Sequence, residues 1–180
     1  MVKSRRDSFQ ILPMDEPTQK LLKLSEEIRG AFMDRAIWID TILTDALAAY
    51  FCLDEERRRL LQSDVLTGLD TTFSGRIRIL KTLLTLRLKE WAADHEDLVP
   101  KLDKIRKFRN RLAHSLIDSS EKFLSQGHKD RVQFVFYEEG QQKYQLVTVD
   151  EMKKRLAECS EVVMVLVDLR KYVRSKHSPA

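Results

Sequence analysis

Arg109, Asn110 and His114 are the residues of this 180-residue chain whose types and spacing suit chemistry on a phosphodiester. A guanidinium offers a planar fork for phosphate oxygens, and an amide beside it adds further donors. A neutral imidazole can take a proton near neutral pH. Together they could hold a phosphate, deprotonate an adjacent 2′-hydroxyl and stabilise the crowded phosphorane that follows, with no metal or cofactor. One imidazole cannot comfortably be both acid and base. A second copy of the chain across a symmetric interface would supply the other.

The three residues lie in the stretch from Lys101 to Ser115. Six Lys/Arg against one Asp between 101 and 111 give this stretch a local charge of +5, whereas the whole chain is only +4. The basicity is therefore placed on one helix, and the rest of the chain nets −1. At about 100° per residue, Leu98, Leu102, Ile105, Phe108, Leu112 and Leu116 form an apolar stripe. Asn110 and His114 project together, with Asp103 and Lys107 extending the same polar edge. Arg106 falls between that edge and the core, and Arg109 falls beside the stripe itself. A covered guanidinium needs a partner, and Asp40 or Asp45 on the first helix is the expected one. Two readings share this geometry: Arg109 as a structural bridge with His114 a surface histidine, or the pair as a phosphate site.

Several elements must position these residues. Pro17 fits a first helical turn, and apolar residues from Leu21 through Ile28, Phe32, Ile39 and Ile42 to Leu53 predict one helix of roughly 35 residues. A short charged helix over Asp54–Gln62 and a loop over Thr67–Thr72 follow. Ser74 is expected to cap a third helix carrying Ile77, Leu80, Leu83, Leu84 and Leu88. The motif helix comes next, with Pro100 tolerable in its first turn. Residues 118–130 read as a loop. Val132, Phe134 and Phe136 then alternate with Gln133, Val135 and Tyr137, answered by Tyr144, Leu146 and Thr148, which predicts a β-hairpin over 131–148. Thr148 or Asp150 caps a last amphipathic helix. The fold expected is all-α, or mainly α: an antiparallel helical bundle with one hairpin before the last helix. Residues 1–16 read as a leader, 17–175 as one domain and 176–180 as a tail.

Composition excludes other classes. With 5 Gly and 4 Pro the chain is no turn-rich β-barrel, and 43% apolar content is too high for a disordered chain. Cys52 and Cys159 sit in apolar helical patterns and read as free thiols. The basic start, Met1 to Asp7, lacks the apolar run of a secretory signal, and no segment has the length to span a bilayer. A cytoplasmic protein without membrane contact is expected. The scattered His95, His114, His128 and His177 make no zinc spacing, and no Gly-rich phosphate loop is present.

The frame Ile105-Arg-Lys-Phe-Arg-Asn-Arg-Leu-Ala-His-Ser115 resembles the R-x4-H motif of the HEPN superfamily. A long first helix, a late helix bearing the motif and a final amphipathic helix are similar to that superfamily's order. Arg29-Gly30 with the Ile37–Leu47 run, and Phe73-Ser-Gly-Arg-Ile-Arg-Ile79, resemble its mannitol operon repressor (MtlR-like) group. The resemblance implies a HEPN-like bundle and one of two outcomes. One is a dimeric, metal-independent endoribonuclease acting as a toxin or defence effector. The other is a non-catalytic transcriptional-regulatory or partner-binding module. Under the first, Arg109 holds the scissile phosphate, Asn110 orients the phosphate or the imidazole, and His114 transfers the proton. Arg106, Lys107 and Arg111 track the RNA backbone, and Asp40 stands behind the site. The implied partners are RNA, a second copy and an antitoxin or regulator protein.

Other residues carry secondary expectations. Phe134, Phe136, Tyr137 and Tyr144 either pack or stack unpaired bases. Lys3, Arg5 and Arg6 at the start, with Arg170, Lys171, Arg174 and Lys176 at the end, read as solubilising tails with some capacity for phosphate. Trp38 and Trp91 read as core or interface.

Overall fold

A computed structural model describes residues 15–68, 71–127 and 129–177, with no side-chain detail at His177. His128, Lys3, Arg5 and Arg6 lie outside these residues.

The first helix, α1, runs Glu16–Phe51, so Glu16 belongs to the helix and not to the expected leader. Asp15 caps it by accepting from the Thr18 amide at 3.3 Å, and Pro17 occupies the first turn, where no amide is needed. The expected second helix is split. α2 spans Glu55–Leu60 and widens into a π-helical segment, Leu61–Leu66. α3 spans Phe73–Leu86, and its cap is Thr72, not Ser74: the Thr72 hydroxyl accepts from the Gly75 amide at 3.2 Å. α4 is one short piece, Lys89–Ala93, and α5, Leu98–His114, is the motif helix with Pro100 in its first turn.

A three-stranded antiparallel sheet of order β1-β2-β3 follows, where only a hairpin was expected. β1 is Leu116–Ile117, β2 Arg131–Glu138 and β3 Gln141–Thr148. The predicted loop holds one turn of helix, α6, at Glu121–Leu124. The hairpin closes through Glu139 and Gly140, with φ of 54° and 74°, the two left-handed residues that match the twist of the strands. The register pairs Val132 with Val147 facing the core, and Val135 with Tyr144 facing out. Tyr144 and Leu146 thus share the face of Gln133 and Val135, not that of Phe134. Thr148 accepts from the Glu151 amide at 3.1 Å and starts α7, Val149–His177.

α1 packs most extensively on α7, and α5 lies against α1, α3 and α7. The stripe on α5 is buried from Leu98 through Leu102, Ile105 and Phe108 to Leu112, but Leu116, expected in it, lies past the helix end in β1 and is exposed. Phe108 meets Phe32 of α1 edge-on at 4.7 Å between ring centroids. Burying each such side chain contributes roughly 1.5–3 kcal/mol. Cys159 is buried and Cys52 half-buried, both unpaired. Burial pushes the Cys159 thiol up to about 11, so it stays protonated and unreactive. No helix among the described residues is long and apolar enough to cross a membrane.

A bidentate charged contact joins two helices of this core. Arg76 of α3, buried, donates from Nε and Nη2 to the two carboxylate oxygens of Asp40 on α1 at 2.7 and 2.6 Å. Its Nη1 donates to the carbonyls of Leu66 and Thr71, so one guanidinium joins α1, α3 and the segment entering α3. Removing one partner of such a buried pair strands the other charge. Asp40→Ala is therefore expected to cost about 3 kcal/mol, read as a lowered urea midpoint. An unshifted midpoint would show that the bridge adds no stability.

Candidate phosphate-facing end of helix α5

The C-terminal half of α5 carries the three motif residues. Asn110 and His114 are exposed on one edge, and Arg109 is half-buried beside the apolar stripe. Arg109 and His114 are five residues apart, which sets their Cα atoms about 7.5 Å apart along the axis, with Asn110 between them in angle. Asn110 does not bond to His114. None of the three makes a hydrogen bond or ion pair among the described residues.

The expected bridge from Arg109 to the first helix does not form. Asp40 is taken by Arg76, and Asp45 by Arg170 of α7 at 2.7 Å, with Arg174 at 4.0 Å. Both acids face arginines on other helices, which leaves the Arg109 guanidinium unneutralised. Asp40 consequently stands behind α3 and not behind the motif. Arg170 and Arg174, expected in a loose tail, lie on α7 against α1.

The end of α5 is fixed by a residue to which the sequence reading gave no role. Arg29 of α1 donates from Nη2 to the Ser115 carbonyl at 2.8 Å and lies 5.0 Å from the Phe134 ring centroid. A cation over the last carbonyls is favourable at the negative end of a helix. Its Nε is buried with no partner among the described residues, and burial lowers its pKa. Ser115 is itself buried, and β1 begins at the next residue. His114 is thus the last helical residue before a pinned turn. The signal available in sequence was an Arg at the edge of the Ile28–Phe32 stripe, but not its destination.

The cationic stretch is more neutralised than its sequence charge. Asp103 accepts from Arg106 at 2.7 Å and pairs with Lys107 at 2.8 Å. Lys101 pairs with Asp97 at 2.7 Å and with Glu161 of α7 at 3.2 Å. Arg111 lies over the Phe136 ring at 5.4 Å and is 3.9 Å from Glu138. Of the six cations, Lys104 and Arg109 have no acid within 4.0 Å among the described residues. Arg106 and Lys107, expected to follow an RNA backbone, are held by their own helix.

The aromatic residues divide by face. Phe134 is buried, whereas Tyr137 and Tyr144 are 71% and 56% exposed on the outer face of the sheet. Leu116, 69% exposed, sits across Val135 from Tyr144, so this apolar row begins two residues after His114. Trp91 is buried and donates to Asp168 at 3.0 Å, but Trp38 is 47% exposed with Arg35 over its ring.

Comparison with protein-family descriptions, curated proteins and solved structures finds no match to this chain. What the molecule defines by itself is a mainly α bundle with a small three-stranded antiparallel sheet near its C-terminus.

Because Arg109 has no internal partner, Arg109→Ala is expected to change stability by no more than about 0.5 kcal/mol. A large drop in melting temperature would restore the bridge reading. Asp103 gives a pH test. Hydrogen bonds from Lys107 and then Arg106 hold its carboxyl below the usual range. A depressed carboxylate contributes stability that is present above its unfolded pKa, about 3.9, and is lost as pH falls through the folded value. The stability advantage of the wild type over Asp103→Asn should therefore be seen at pH 6 and fade below about pH 4. An advantage that persists unchanged at pH 2.5 would assign it to something other than ionisation.

Proposed function

We propose that the protein is a metal-independent endoribonuclease of the HEPN type, working as a homodimer in the manner of a toxin or defence effector. The observation that carries this reading is Arg109, a half-buried residue with no acid partner among the described residues, beside exposed Asn110 and His114. An arginine with no internal acid keeps its planar fork of donors available to a phosphate.

In the reaction, Arg109 and Asn110 hold the scissile phosphate. His114 takes the proton from the 2′-hydroxyl as that oxygen attacks phosphorus. His114 of the partner subunit gives a proton to the departing 5′-oxygen, and the arginines stabilise the added negative charge of the phosphorane. The products are a 2′,3′-cyclic phosphate and a 5′-hydroxyl. Exposed Leu116 and Tyr144, on either side of half-buried Val135, offer apolar area next to His114 for the second copy.

A second reading has an observation of its own. Arg106 and Lys107 are occupied by Asp103, which weakens backbone tracking and favours a non-catalytic regulatory module of the mannitol operon repressor kind that binds a partner protein.

Single-stranded RNA incubated with the protein in excess chelator separates the two. Cleavage leaving cyclic phosphate ends is expected, slowed about 100-fold or more by His114→Ala. RNA left equally intact by wild type and variant, across several substrates, would sink the nuclease and leave the regulatory reading.

A further inference from the structure

A second feature lies on the opposite flank of α5 from α7. α3, α4 and the first turns of α5 enclose an open groove of about 850 Å³. Its floor is apolar, with Ile77 and Leu84 of α3, Ala92 of α4 and Val99 of α5. Lining residues on α3 run from Ser74 to Thr85, which is about 16 Å of helix at 1.5 Å per residue. The groove thus runs along roughly eleven residues of α3.

The rim is charged with one sign in excess. Arg78 and Lys81 stand on the α3 side and Lys89 at the start of α4, all exposed and without an acid partner among the described residues. Two acids line the other wall. Asp103 is already committed to Arg106 and Lys107, which leaves Glu96 alone against three free cations. The α4 wall is braced: Trp91 is anchored to Asp168, and the ring of His95 stacks on it at 3.9 Å with Nδ1 at 2.9 Å from the Trp91 carbonyl. A formed groove with an apolar floor and an unpaired cationic rim is complementary to a helix with one apolar stripe flanked by carboxylates.

We propose that this groove is the docking site for an acidic amphipathic helix of another protein. The chain's own first fourteen residues have the wrong sign, carrying Lys3, Arg5 and Arg6 against Asp7. The inference stands apart from the motif at the far end of α5 and does not need RNA cleavage to be true.

The test selects binders from a library of randomised helical 16-residue peptides displayed against the full-length protein. The expected winners carry Leu, Ile or Phe at i, i+3 or i+4 and i+7 with Glu or Asp beside them. Fluorescence anisotropy should then show Kd weakened at least tenfold by the double variant Arg78→Glu/Lys81→Glu. Both side chains are exposed, so its circular dichroism melt should match wild type. A charge-reversed peptide with Lys in place of Glu should regain affinity for that variant. Winners lacking acidic residues, or acidic winners that bind the double variant unchanged, would overturn the proposal. So would loss of affinity matched by a scrambled peptide of equal composition, which would reduce the effect to bulk charge. If the double variant instead abolishes self-association in light scattering, the occupant is a second copy and the proposal fails.

Discussion

The bidentate contact between Arg76 and Asp40 is the constraint on which the rest of the arrangement turns. An ionised pair taken out of water is tolerated only when its geometry is close to ideal and its remaining donors are filled. Here the donors are filled by the carbonyls of Leu66 and Thr71, so satisfying the charge also sets where the chain enters α3. With α3 held to α1 on one side and α7 laid along α1 on the other, α5 has one slot left. Its stripe faces the resulting trough, and its polar edge is turned outward.

Three arginines near this trough meet three different fates, and the contrast defines the site. Arg76 is buried against a carboxylate. Arg29 is desolvated against carbonyls and the ring of Phe134, which need no counter-charge of their own. Arg109 is half-buried against nothing ionised. Charge balance within the first helix explains the difference, because its two inward acids, Asp40 and Asp45, are used up by Arg76 and Arg170. Arg109, like Lys104 earlier on α5, has no acid partner among the described residues, and it is the one beside Asn110 and His114.

Apolar spacing in the sequence located α1, α3, α5 and α7, since a stripe of period 3.6 states which face is buried. It does not state which helix lies opposite. That is why Arg109 was assigned to Asp40 or Asp45 when both acids face other helices. The hairpin was legible from the alternation of Val132, Phe134 and Phe136. β1 was not, because two residues carry no period, and α6 was hidden by the same brevity. Thr72 and Ser74 are two hydroxyls at the same helix start, and only backbone geometry chooses between them. The charge of the motif helix was readable as a sum, but its partition between held and free cations depends on Asp103, Glu138 and Glu161, two of which come from elsewhere in the chain.

The pairing of α1 with α7 also sets a schedule for synthesis. Asp45 waits for Arg170, 125 residues later, and the most extensive cover of α1 comes only with α7. At roughly 5–20 residues per second, that interval is on the order of ten seconds. During it, the 36-residue α1 can be covered only by the elements that precede α7. High sequence separation of this kind slows closure of the core and lengthens exposure to aggregation.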